Sequence, residues 1–238
     1  MPFSAASIPV KPFTVSHSTQ ELDDLKTLLR LSPIAIDTYE NREERGNKFG
    51  PSKAWMEDMV SSWQSFDWDS AQSKLNEYPQ FIADVPDIDP KTGQKDTFKV
   101  HFVGIENKDP NAVPVIIMHG WPGNFHELLP LVPYLLTAAN PPMHIIIPRR
   151  VHIPILGPPS HSHTLMLDLQ SYSLVGYGYS SSAPLDREFG QEGCARVFNS
   201  LMKGLGYNKY VAQGGDLGAY LGRIMAIRYE ECQGALGD

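Results

Sequence analysis

Cysteine is scarce in this chain: Cys194 and Cys232 are the two it has in 238 residues. That is too few for a disulfide framework and points to a reducing compartment, the cytoplasm. No basic block is present, and 20 basic against 27 acidic residues leave a net charge of −7. Nucleic acid is therefore not an expected partner. Met1 to Ser18 lacks the apolar core that a signal peptide or membrane anchor needs. No internal repeat or low-complexity tract is apparent. What is present is enough chain for one domain with a sizeable core.

The most telling stretch is Gly214-Gly215-Asp216-Leu217-Gly218. It follows the short apolar run Tyr210-Val211-Ala212 and opens a helical run from Leu217 to Arg228. A strand that turns sharply into a helix around one polar residue is the layout of a nucleophile elbow. Gly214 and Gly218 let the two backbones close on each other where a Cβ would clash. The central residue here is aspartate, already ionised at neutral pH, so it needs no base to become nucleophilic. Such a carboxylate suits attack on an electrophilic alkyl carbon, giving an ester. The bland alternative is that Asp216 caps its own helix through the first-turn N–H groups.

A second motif, His119-Gly120-Trp121-Pro122-Gly123, follows the β-branched run Val113 to Met118, which reads as a buried strand. A Gly/Pro turn after a strand leaves backbone N–H groups outside any ladder. Two such donors, on Trp121 and Leu217, are assigned as an oxyanion hole. Gly120 and Pro122 shape this turn. His119 itself reads as a satisfied core histidine that braces the loop.

These motifs, with others in the same order, resemble an epoxide hydrolase of the α/β-hydrolase superfamily, of the fungal and microsomal type with an extended N-terminal region. The further matching residues are Pro12 to Ser16, Leu22 to Lys26, Phe66-Asp67-Trp68, Leu75 to Phe81 and Gly176 to Ser181. The resemblance implies that Asp216 opens the epoxide, that Trp121 and Leu217 supply the oxyanion donors, and that no cofactor or metal is used. The partner it implies is a small-molecule epoxide, and a homodimer of the full-length form stays open. It further implies that a cap with two tyrosines, then an acid, then a histidine base, should follow Asp216; none is expected within this chain. Two alternatives stand beside it. One is another Asp-nucleophile hydrolase such as a haloalkane dehalogenase, in which a Trp usually follows the nucleophile where Leu217 stands. The other is a non-catalytic truncated fragment.

Along the chain, Met1 to His17 reads as an extended arm. Ser18 with Glu21 forms a capping box ahead of a helix striped by Leu22, Leu25, Leu28 and Leu29. Ser52 to Phe66 is helical in pattern, and Asp69 is expected to cap a short helix reaching Asn76. From Thr97 the pattern alternates, which predicts a mostly parallel sheet covered by helices on both faces. Expected strands are Thr97 to Ile105, Val113 to Met118, His144 to Ile147 and Tyr210 to Gln213. Expected helices are Asn124 to Leu136, Gly190 to Lys203 and Leu217 to Arg228. The domains are thus 1–96, an arm and helical N-terminal region, and 97–238, an incomplete α/β-hydrolase core without its C-terminal strands and cap. The strand from Tyr210 is then expected to be an exposed edge. Residues 149–172, with His152, His161 and His163, interrupt the family pattern between Pro148 and Ser173 and read as an insertion or retained intron. These three histidines lack the carboxylate or helical spacing that would support a metal site.

Overall fold

The computed structural model describes residues 2–46, 48–148 and 178–237. The stretch 149–172 and the start of the Gly176 to Ser181 motif lie outside the described residues. The chain divides into two compact units: Val15–Glu77, and Met1–Thr14 together with Tyr78–Asp238.

The second of these units is built on a seven-stranded sheet. Its strands are β1 (Val10–Phe13), β2 (Gln80–Ile88), β3 (Lys95–Ile105), β4 (Val113–Met118), β5 (Met143–Pro148), β6 (Tyr210–Gly214) and β7 (Cys232–Leu236). The spatial order is β1-β2-β3-β5-β4-β6-β7. The sheet is mixed rather than mostly parallel: β5, β4, β6 and β7 run parallel, whereas β1, β2 and β3 add antiparallel ladders. The parallel strands are the continuous β-branched runs, and Ile116, Ile145, Ile146 and Ile147 are fully buried. Strands covered on both faces need no polar alternation.

Two strands correct the reading from pattern. β2 begins inside the motif Leu75 to Phe81 and pairs with β3 over its whole length. β7 pairs parallel with β6, so β6 is flanked on both sides and the described edge on its side of the sheet is β7. The elbow strand is therefore not the edge.

Helix α5 (Gln191–Gly204) and helix α6 (Leu217–Arg228) pack against each other and the sheet. The inward side of α5 carries Cys194, Val197, Phe198, Leu201 and Met202, all buried. The expected helix over Asn124 to Leu136 is instead a 3₁₀ stretch, Phe125–Leu131, followed by α4 (Val132–Ala138). Pro130 and Pro133 lack the N–H an unbroken α-helix requires, so the segment splits. On β2, the buried carboxylate of Asp87 receives both Nε and Nη2 of Arg196 from α5, at 2.6 and 2.9 Å. The hydrogen bond to Asp87 raises the Arg196 pKa above its ordinary value. Arg187 binds Asp186, Asp89 and Asp96, which ties the segment before α5 to the β2–β3 hairpin.

The unit Val15–Glu77 is helical: α1 (Thr19–Leu31), α2 (Lys53–Gln64) and α3 (Trp68–Leu75). Ser18 and Glu21 make the expected capping box. Ser52 caps α2 through the N–H of Trp55. The cap of α3 is Asp67, which accepts from Ser70 N–H at 2.9 Å; Asp69 falls inside the first turn instead. None of the three helices has a buried residue. Among the described residues no helix is long and apolar enough to cross a membrane.

Candidate active site

The register of the parallel strands brings the two motifs together. Met118, the last residue of β4, pairs with Gly214, the last residue of β6. The loops that leave these ends, His119 to Asn124 and Gly215-Asp216, are consequently neighbours at the carboxyl end of the sheet. Ligands of open α/β sheets bind at such an end, outside the strand termini.

Contact between the loops is close enough to require glycine. A Cβ on Gly218 would stand 2.2 Å from the carbonyl oxygen of Met118, and one on Gly214 would stand 2.4 Å from the carbonyl carbon of Gly218. A Cβ on Gly120 would meet the Cβ of Asp216 at 2.8 Å. Gly218 and Gly120 therefore make room for the two motifs to meet, and Gly214 lets the elbow's own strand and helix close.

Asp216 takes φ +53° and ψ −124°, a conformation side-chain-bearing residues rarely adopt. Strain of this kind persists only where surrounding structure over-determines it, and it collects at functional sites. The side chain makes no cap hydrogen bond to α6, which overturns the bland alternative that it serves its own helix. Oδ1 instead accepts the Trp121 backbone N–H at 2.8 Å, across 95 residues of sequence. The helix start is closed by backbone alone, with Ala219 N–H donating to the Asp216 carbonyl at 3.0 Å. Leu217 is the first residue of α6, so its N–H has no acceptor within the helix. Asp216 is exposed and the Trp121 side chain is half-exposed, so a small molecule can reach the carboxylate.

The loop around Trp121 is braced from below. His119 is buried, and its Nδ1 donates to the carbonyl of Gly120 at 2.9 Å. The Trp121–Pro122 peptide bond is cis. The brace that sequence reading missed is Asn124 with Glu127. Asn124 caps the 3₁₀ stretch, and Glu127 accepts the Asn124 N–H at 3.1 Å in a reciprocal box. The Glu127 carboxylate fills the space beside Gly123, where a Cβ would come within 2.8 Å of it. The signal was legible, since Asn followed three residues later by Glu is a capping-box spacing. On the flank, Ser180 and Ser181 occupy the free side of β3 beyond β5. Ser180 Oγ accepts the His101 N–H at 3.1 Å, and Ser181 exchanges hydrogen bonds with Lys99. This places the described end of the Gly176 to Ser181 motif at the same end of the sheet as Asp216. No group of three or more potential metal ligands occurs among the described residues.

Comparison with known proteins agrees in family and fold. The family described as "Epoxide hydrolase N terminus" matches residues 10–128. A putative epoxide hydrolase of Dothistroma septosporum is 33% identical over 236 residues, covering 97% of this chain and 49% of that protein. An enantioselective, directed-evolution mutant of the Aspergillus niger epoxide hydrolase has a structure similar to all of this chain and 56% of its own. Its TM-score is 0.78 and its identity 34%. The juvenile hormone epoxide hydrolase of the silkworm Bombyx mori superposes with a TM-score of 0.73 at 26% identity, over 98% of this chain and 54% of its own. The fold is thus that of the α/β-hydrolases, and the chain spans about half the length of the curated relatives it matches.

Proposed function

This chain belongs to the epoxide hydrolase family, and from that premise we propose that Asp216 is the nucleophile that opens an epoxide through an aspartyl ester. The single observation that carries the reading is the Trp121 N–H held 2.8 Å from Oδ1. That hydrogen bond commits Oδ1 to a main-chain donor and orients the carboxylate for attack through Oδ2. Attack forms a C–O bond to an epoxide carbon, breaks that carbon's bond to the ring oxygen and leaves an alkoxide. The alkoxide then needs a proton. When water adds to the ester carbonyl, negative charge collects on the acyl oxygen. Trp121 N–H, joined by Leu217 N–H, stabilises it there; a preorganised donor of this kind contributes about 3 kcal/mol.

Residues 97–238 carry this chemistry, and 1–96 support it. The family resemblance assigns the proton-donating tyrosines, the acid and the histidine base to positions later than Asp216. To Asp216 itself we assign the ester-forming step. Incubation with a small epoxide followed by intact-mass measurement tests this: one adduct per chain, lost in Asp216→Asn, is expected. Absence of any adduct in the unsubstituted chain, or an adduct surviving in Asp216→Asn, would overturn the nucleophile. The dehalogenase alternative predicts halide release from a haloalkane. Leu217 in place of a halide-holding Trp disfavours it.

A further inference from the structure

A second polar cluster lies at the opposite end of the sheet from Asp216, where β3 ends and β4 and β5 begin. The Asn107 backbone N–H donates to Nδ1 of His144 at 3.1 Å. A main-chain amide can only donate, so Nδ1 presents its lone pair and the ring is neutral, with its proton on Nε2. The imidazole lies against the Tyr207 ring, with centroids 5.3 Å apart and planes tilted by 39°. Beside Asn107, the Glu106 carboxylate accepts the Phe3 backbone N–H at 2.6 Å.

Phe3 is the anchor of the N-terminal arm. It sits at φ +57°, and its ring is buried edge-on against Phe81 and Phe102. The ring uses the space left by Gly104, where a Cβ would come within 2.6 Å of it. A left-handed phenylalanine is held only while its surroundings over-determine it. The Glu106 hydrogen bond is one of the restraints that do so.

Among the described residues, Glu106 from the end of β3 and Tyr207 from the turn after α5 are the titratable groups that face His144. Burial holds the His144 pKa below its ordinary 6.5, while Glu106 pulls it the other way. Burial also pushes the Tyr207 phenol up, so it stays neutral throughout the range concerned. The neutral imidazole therefore stabilises the fold above about pH 6.5, and this contribution is lost as pH falls through the lowered value.

We infer that His144 is a proton-operated latch for the N-terminal arm. A proton arriving at Nδ1 occupies the lone pair that Asn107 N–H was using, and that hydrogen bond breaks. The new imidazolium draws the Glu106 carboxylate away from Phe3 N–H, and the arm releases. At neutral pH the two contacts are Asn107 to His144 and Phe3 to Glu106; in acid they are replaced by His144 to Glu106.

Hydrogen–deuterium exchange of the whole 238-residue chain at neutral pH and near pH 5 tests the latch. Segments 2–8 and 105–109 are expected to exchange about tenfold faster in acid after correction for intrinsic chemistry. His144→Gln keeps an acceptor for Asn107 that does not titrate, so both segments should become indifferent to pH. Glu106→Gln keeps an acceptor for Phe3 but removes the charge that the imidazolium attracts. The arm should then stay closed in acid while 105–109 still loosens. Acid release of the arm in Glu106→Gln, or an unchanged acid response in His144→Gln, overturns the proposal. If His144→Gln does not fold, the nitrogen-15 shifts of wild-type His144 at neutral pH decide: a proton on Nδ1 overturns the latch, and one on Nε2 supports it.

Discussion

The two units of this chain are stabilised by different means. In the sheet unit, the central strands β4 and β5 end in continuous buried runs, and buried Phe102, Ile116, Leu201 and Met202 form a continuous core. In Val15–Glu77 α1, α2 and α3 are each capped, yet none has a buried residue, and Trp55, Met59 and Trp63 stay roughly half-exposed. Capping satisfies the first-turn N–H groups and decides where a helix begins. It does not supply the apolar burial that makes most helical stability. Substitutions should therefore act through packing in one unit and through hydrogen bonding in the other.

The largest effect is expected at the elbow, where the sheet unit has no slack. Gly218→Val would force a side chain into the Met118 carbonyl, with an expected cost of about 3 kcal/mol or more. Chemical denaturation should show this together with loss of the epoxide adduct. Retention of both would mean that the two loops can part, and the comparison would fail at its strongest point.

Next comes a matched pair of aromatic truncations. Phe102→Ala in the core is expected to cost about 3–5 kcal/mol, whereas Trp63→Ala on α2 should cost less than about 1 kcal/mol. Equal shifts in denaturation midpoint would show that α2 is covered in solution.

A finer test concerns the caps. Asp67→Ala is expected to cost about 1 kcal/mol, because it removes the acceptor for Ser70 N–H, while Asp69→Ala should be nearly silent. Circular dichroism of the two variants distinguishes them, and the reverse order would return the cap to Asp69.

The smallest effect belongs to the ion pair at the foot of β7. The hydrogen bond from Lys203 lowers the Glu231 carboxyl below its ordinary 4.5 and raises Lys203 above 10.5. The pair contributes fully between those values. The Glu231 part is lost as pH falls through its lowered pKa, and the Lys203 part as pH rises through its raised one. Lys203 is half-exposed, so Glu231→Gln should cost under about 1 kcal/mol at pH 7 and nothing in strong acid. A thermal-melt series against pH checks this.

Legibility followed the range of the interactions. The strand Val113–Met118 and the helix Leu217–Arg228 match their patterns because periodicity and end signals are local. The cap of the short helix after Phe66 differs from its expected position by two residues, since Asp67 and Asp69 are both good caps and only the Ser70 N–H distinguishes them. β2 was missed because Gln80 to Ile88 mixes buried Asp87 and an internal Pro86 into its run. Its buried charge is tolerable only with Arg196, 109 residues away. β7 was missed because Cys232–Leu236 has little β-branched character and acquires its strand geometry from β6.

By itself the sequence determined the chemistry on offer: a carboxylate set among glycines, and a Gly/Pro turn with spare main-chain donors. Those properties are local, set by residue type and spacing, and no fold is needed to read them. Only the tertiary structure decided that Asp216 turns away from its own helix and gives Oδ1 to Trp121 N–H. That choice depends on the parallel register of β4 with β6 and on the missing Cβ atoms of Gly120 and Gly218, which together make the long-range contact sterically open.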